Sequence, residues 1–311
     1  MSVDVLDRAL QRHSVRGPTM GSRWTATWES LAGDDVSGVR AQLQEAVDRV
    51  DDQMSTWKPQ SDLNRLNDAP VGVWVELPHE LICVLDAALE IGRASAGAFN
   101  IGVGDLVKNW GFGFGARSAD ENLIAMHAPL LCDPPQTLRV DTVALRAMKL
   151  APLRLDLSGI AKGFGVDQLA GVMNACGIGS WLVGIDGEMR AQGMRSDGQA
   201  WTVALERPED EAREALGVIE LVDSAVATSG DYRHFRMHKG RRVSHTMDAR
   251  TGAPVENDLA SVTVLADLCM MADAWATAIM VMGAQRGFAI AEKLQLPAIL
   301  VTRDGRILST L

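Results

Sequence analysis

Eight short runs with β-branched residues or period-two alternation fill the second half of this chain, at 138–142, 147–157, 181–186, 201–206, 217–222, 232–238, 241–246 and 260–266. Runs of that length and pattern predict strands, and most follow one another as hairpins. Asp304-Gly305, set between Ala298–Val301 and Ile307–Leu308, adds a strong hairpin signal near the end. Helical patterns interrupt at about 160–176, closed by Gly177, and at 270–294. Strands joined largely as hairpins, with helices grouped between them, predict an α+β fold with mixed or antiparallel sheets and flanking helices. A doubly wound parallel sheet would alternate strand and helix throughout.

The first half reads differently. Val39, Leu43, Val47, Val50 and Met54 recur at helical spacing, with Asp48, Arg49, Asp51 and Asp52 on the other face, which predicts an amphipathic helix over 37–54. A second helix is expected at about 79–95, turning Leu81, Leu85, Ala88 and Leu89 toward the core. Ser55–Leu77 between them reads as a long polar loop with Pro59 and Pro70. Residues 111–135 are rich in Gly, Ala, Asp and Pro, and Gly111-Phe-Gly-Phe-Gly115 is suited to a lid or ligand-facing loop. That stretch is the expected boundary between two closely joined lobes of one domain spanning 1–311, a length close to the ceiling for a single core.

Forty acidic against 30 basic residues give a formal charge of −10, a global field that repels nucleic acid and anionic membrane. An anionic ligand therefore requires local cations or a metal. The four cysteines, Cys83, Cys132, Cys176 and Cys269, lie far apart and show no zinc-like spacing, so reduced thiols are expected. Leu268–Ala284 is the most apolar stretch, but it is shorter than the roughly 20 residues of a membrane span and carries Asp273. It predicts a buried helix. Met1–Gly17 contains no apolar run like that of a secretory signal, and the expected compartment is cytoplasmic.

Three segments carry chemistry. In Asp156-Leu-Ser-Gly-Ile-Ala-Lys-Gly163 a strand ending in a carboxylate turns into a helix bearing Lys162, and such a turn offers unpaired N–H groups to a phosphate. An ordinary capping turn with a solvated Lys162 fits the same residues. Met271-Ala-Asp-Ala-Trp-Ala-Thr277 places Asp273 and Thr277 on one face of an apolar helix, a hard oxygen pair suited to Mg²⁺. The alternative is a capping carboxylate. Third, Ala227-Thr-Ser-Gly-Asp-Tyr232 is followed by a hairpin through Lys239-Gly240 and then Ser244-His-Thr-Met-Asp-Ala-Arg-Thr-Gly252. There His245 ends a strand among polar residues, where an imidazole is able to take a proton from a hydroxyl.

With Met20-Gly-Ser22, Met54-Ser-Thr-Trp-Lys-Pro-Gln-Ser-Asp-Leu-Asn-Arg-Leu-Asn67 and Gly97-Ala-Phe-Asn-Ile-Gly-Val-Gly-Asp-Leu-Val107, these segments make six motifs in order. Together they resemble the ApbE family, the FAD:protein FMN transferases, over nearly the whole chain. The resemblance implies an FAD site between the lobes and an enzyme that uses Mg²⁺ to cleave FAD. FMN would pass to a Ser or Thr of an acceptor flavoprotein and AMP would leave. It implies that Met20, Trp57, Asp156, Lys162 and Met247 meet FAD, and that Gly159, Asp273, Ala276 and Thr277 hold the metal, Gly159 and Ala276 through backbone. His245 is then the general base. Trp57 stands where the family more often has Tyr, Ser158 and Asp186 where it commonly has Gly, and Asn100-Ile-Gly102 where Asp-Pro-Thr is common. Competing readings are an FAD pyrophosphatase giving FMN and AMP, and a non-catalytic flavin-binding protein.

Overall fold

The computed structural model describes residues 10–31, 35–112, 119, 134–208, 214–231 and 235–311. Its centre is an eight-stranded sheet whose strands lie side by side in chain order. They are Leu10–Thr19, Ser22–Leu31, Trp181–Ile185, Glu188–Gln192, Ser224–Gly230, Leu259–Ala266, Ala298–Thr302 and Ile307–Ser309. Every neighbouring pair is antiparallel, as hairpin-joined strands require. Trp74–Glu76, Arg146–Lys149 and Leu138–Asp141 form a separate three-stranded sheet, and Trp201–Glu206 pairs with Ala215–Leu221. The class is α+β, as the sequence predicts.

Helices cover the sheet because their apolar faces have no other place to go. Val36–Met54 buries Leu43, Val47 and Val50 against the Ala161–Ala175 helix and the sheet. Its start is fixed by Asp35, whose side chain accepts from Gly38 N at 2.9 Å. Trp24, Trp28 and Trp181 form the largest buried side chains of this layer, with Trp28 directly across from Trp181. The Cys269–Met282 helix is buried nearly all round, through Ala272, Ala274, Ala276, Ala278, Ile279 and Met280. Among the described residues no helix is long and apolar enough to cross a membrane. Cys83, Cys176 and Cys269 are free thiols. Cys132 and much of the expected lobe boundary at 111–135, including Gly113–Gly115, lie outside the described residues.

The structure corrects three local expectations. Ser55–Leu77 is not all loop, since Ser61 caps a two-turn helix at Asp62–Asp68 and Trp74–Glu76 is a strand. The run 147–157 is a strand only as far as Lys149. Pro152 lacks the N–H that a ladder needs, and the segment beyond it finds partners elsewhere: Arg154 O accepts from Gly104 N, and Asp156 N donates to Ile101 O. The helix expected over 270–294 is two, Cys269–Met282 and Ala284–Leu294, because Gly283 sits at φ 79° and ψ 170°. That backbone region is essentially closed to residues with a Cβ. The first two strands and those at Glu188–Gln192 and Ser224–Gly230 add to the expected set.

Gly283→Ala is therefore expected to cost about 1–3 kcal/mol of stability, seen as a lower urea midpoint with an unchanged denaturant slope. An unchanged midpoint would show that the break between the two helices does not depend on this conformation.

Candidate active site

Two buried helices meet at their N-terminal turns, where helix backbones leave N–H groups without intrahelical partners. The Cys269–Met282 helix has no capping bond from its own flanking residue. Asp167, on the Ala161–Ala175 helix, supplies the acceptor instead, taking Cys269 N at 3.0 Å and Met270 N at 2.9 Å. In return Asp273 Oδ2 accepts from Gly163 N at 3.0 Å, in the first turn of the other helix. Gly163 is small of necessity: a Cβ there would lie 2.5 Å from Cys269 O and 2.8 Å from Asp273 Cβ.

Charge converges on the same point. Lys162 Nζ donates to Glu188 Oε1 at 2.5 Å and lies 3.9 Å from Asp186 Oδ2. Arg190 Nη1 lies 2.6 Å from Asp167 Oδ1. Burial alone would push the Lys162 ammonium down, but Glu188 and then Asp273 outweigh it and hold its pKa well above the ordinary lysine value. Burial raises Glu188 against the pull of Lys162, and Glu188 Oε2 is buried with no hydrogen-bond partner among the described residues. Asp273 is pushed up to about 7, by burial first and by the Glu188 charge second. With Lys162 given to Glu188 and Arg190 to Asp167, Asp273 forms no ion pair among the described residues.

The metal-ligand candidates adjoin this cluster. Thr277 lies one helical turn beyond Asp273. A Cβ placed on Gly159 would come within 3.1 Å of Thr277 Oγ1, so the Gly159 backbone and the threonine hydroxyl are neighbours. Thr277 Oγ1 also shares a hydrogen bond with Ser229 Oγ at 3.1 Å. Ala276 is fully buried beside it. Among the described residues no three His, Cys, Asp or Glu side chains gather as a metal cluster. A hard cation here would rest on one carboxylate with hydroxyl and carbonyl oxygens. The residues fit such an ion, because a buried carboxylate with no ion-pair partner among the described residues is stabilised by a cation beside it.

The remaining candidates stand on other segments. Asp156 is buried, and its Oδ1 accepts from Ser158 N at 2.8 Å, which shapes the turn into Gly159. Met20, at φ 44° between the first two strands, reaches toward Gly165 on the helix that carries Lys162. Trp57 is 57% exposed, on the loop that precedes the Asp62–Asp68 helix. His245 follows the Arg241–Ser244 strand, its ring 6.5 Å from that of Phe112, and Met247 is buried in a short pairing with Pro254. Asp186 stands at φ 57° in the tight turn before Glu188, which accounts for glycine being a natural occupant there. Asn100 Oδ1 accepts from Gly102 N at 2.8 Å.

Sequence reasoning missed Glu188, Asp167 and Ser229 as members of the site. No spacing marks the first two, which reach it across the sheet and across the helix pair. Ser229 stood inside the Ala227–Tyr232 motif without a role.

A family model described as "ApbE family" matches residues 20–300. The FAD:protein FMN transferase of Vibrio cholerae serotype O1 is 36% identical over 306 residues, covering 96% of this chain and 90% of that protein. Among solved structures, the flavin transferase ApbE from Vibrio cholerae superposes with a TM-score of 0.87 at 33% identity, covering 97% of each chain. The apo flavinyl transferase ApbE of Pseudomonas stutzeri gives 0.84 at 32%, covering 96% of this chain and 95% of that one.

Removing one partner from the Lys162–Glu188 pair leaves a buried charge without its counterion. Lys162→Met is expected to cost stability toward the lower end of about 3–5 kcal/mol, because the lysine side chain keeps some solvent. Lys162→Met combined with Glu188→Leu should recover most of that loss in urea unfolding. A single variant as stable as the parent would mean that the pair does not form.

Proposed function

The chain belongs to the ApbE family, and we propose that it is a metal-dependent FAD:protein FMN transferase acting on a Ser or Thr hydroxyl of an acceptor flavoprotein. The observation that carries the reading is Asp273: a buried carboxylate without an ion-pair partner among the described residues, within electrostatic reach of Lys162 and one turn from Thr277, which itself neighbours Gly159. A negatively charged chain that must hold a pyrophosphate needs positive charge at that point.

In this reading Asp273, Thr277 and the Gly159 carbonyl hold Mg²⁺, with Ala276 contributing through its backbone. The bound ion would supply charge neutralisation at the pyrophosphate. Lys162, anchored by Glu188, adds a fixed cation to the same site. Met20 and Trp57 pack the nucleotide half of FAD, and Asp156 and Met247 complete its contacts. His245 takes the proton from the acceptor hydroxyl as its oxygen forms a bond to the FMN phosphorus. The P–O bond to the AMP phosphate breaks, and AMP leaves with the electron pair.

Intact-mass analysis of a candidate acceptor flavoprotein, after incubation with this chain, FAD and Mg²⁺, tests the reading directly. A mass gain of one FMN, abolished by changing the acceptor Ser or Thr, is expected. Free FMN and AMP with an unmodified acceptor would replace transferase by hydrolase. His245→Ala should slow transfer by about 10²–10⁴-fold while FAD binding persists, and Asp273→Asn should nearly eliminate turnover. Wild-type rates in chelator-treated enzyme or in Asp273→Asn would remove the metal assignment.

A further inference from the structure

Two segments assigned to FAD, the Trp57 loop and the Asp156 turn, lie 99 positions apart, yet both are tied to one helix of seven residues, Asp62–Asp68. The ties are made by two asparagines on that helix, each buried. Asn64 Nδ2 donates toward three carbonyls in the preceding loop: Lys58 O at 2.9 Å, Thr56 O at 3.2 Å and Ser55 O at 3.3 Å. The helix cap assists, since Ser61 Oγ donates to Ser55 O at 2.7 Å. The backbone on both sides of Trp57 is thereby fastened to a single side-chain amide.

Asn67, one turn later, faces the other segment. Its Oδ1 accepts from Leu155 N at 2.7 Å and its Nδ2 donates to Leu155 O at 3.1 Å. The amide thus pairs with the backbone of Leu155 as a neighbouring strand would. Lys149, itself buried, donates through Nζ to the Asn67 carbonyl. Across the segment, Gly104 N bonds Arg154 O at 3.0 Å and Asp156 N bonds Ile101 O at 2.8 Å. Three successive residues, Arg154–Asp156, are fixed from two sides, and a slip of one residue would carry Asp156 away from its turn.

We propose that Asn64 and Asn67 are positioning residues for FAD, and that the Asp62–Asp68 helix sets the Trp57 loop and the Asp156 turn at one mutual spacing. The inference rests on the reading of Trp57 and Asp156 as FAD contacts. Neither asparagine touches the ligand in this scheme. Each fixes a backbone before FAD arrives, so that binding need not meet the entropy of ordering it.

The test is a pair of double-mutant cycles on FAD affinity, measured by calorimetry with the full chain and Mg²⁺ at a temperature below the unfolding midpoint of every variant. Trp57→Ala should weaken FAD roughly 5- to 150-fold. Asn64→Ser should weaken it about threefold or more in the parent and leave it unchanged in the Trp57→Ala background. Asn67→Ser should behave the same way against Asp156→Ala, while Asn64→Ser and Asp156→Ala multiply independently. Asn67→Asp, which keeps an acceptor for Leu155 N but loses the donor to Leu155 O, serves as the second variant and should match Asn67→Ser in direction. Should Trp57→Ala and Asp156→Ala both leave affinity untouched, the FAD assignment falls and the inference with it. If they weaken FAD but the asparagine variants lower only the unfolding midpoint, or act equally in every background, the asparagines are structural and the inference alone is overturned.

Discussion

The exchange of carboxylates between two helices is the interaction on which the rest of the site depends. Asp167 satisfies the exposed N–H groups of the Cys269–Met282 helix, and Asp273 satisfies one in the Ala161–Ala175 helix. Each helix ends where the other can serve it, so their relative depth is set by hydrogen bonds as well as by packing. Gly163 permits that depth, because any larger residue would strike the Cys269 carbonyl. Lys162 on one helix and Thr277 on the other are brought to the same neighbourhood as a result.

Such an arrangement stores a charge imbalance. Three acids meet at the junction, Asp273 and Glu188 buried and Asp167 half-buried, and Arg190 and Lys162 answer two of them. The unanswered one is the carboxylate on the helix face shared with Thr277. A buried carboxylate without an ion-pair partner is costly, and a cation beside it would offset that cost. Asp186, 3.9 Å from Lys162, adds further negative charge beside it.

The sequence made the fold class legible through hairpin-spaced β runs, and the helices at Val36–Met54 and His79–Ala94 through their apolar periodicity. It also placed Asp273 and Thr277 together, because four residues on a helix is a distance fixed by local geometry. What it hid has a common cause. Glu188 and Asp167 act through contacts between elements remote in the chain, and no local rule encodes them. The Asp62–Asp68 helix was concealed by polar residues: Asn64 and Asn67 look like loop residues, yet both are buried because their amides replace missing backbone partners. Gly283 was read through because one glycine in an apolar pattern resembles a continuing helix until its φ is known.

Strands two and three of the main sheet, Ser22–Leu31 and Trp181–Ile185, are spatial neighbours although about 150 residues of chain separate them. During synthesis the first hairpin leaves the ribosome with its Ser22–Leu31 edge unpaired and two tryptophans on it, Trp24 and Trp28, which only later become buried. An exposed apolar edge is a template for wrong pairing, and closing a loop of this size is slow relative to local structure. The topology that gathers the site from both halves of the chain thus leaves the Ser22–Leu31 edge without its sheet neighbour until Trp181–Ile185 has been made.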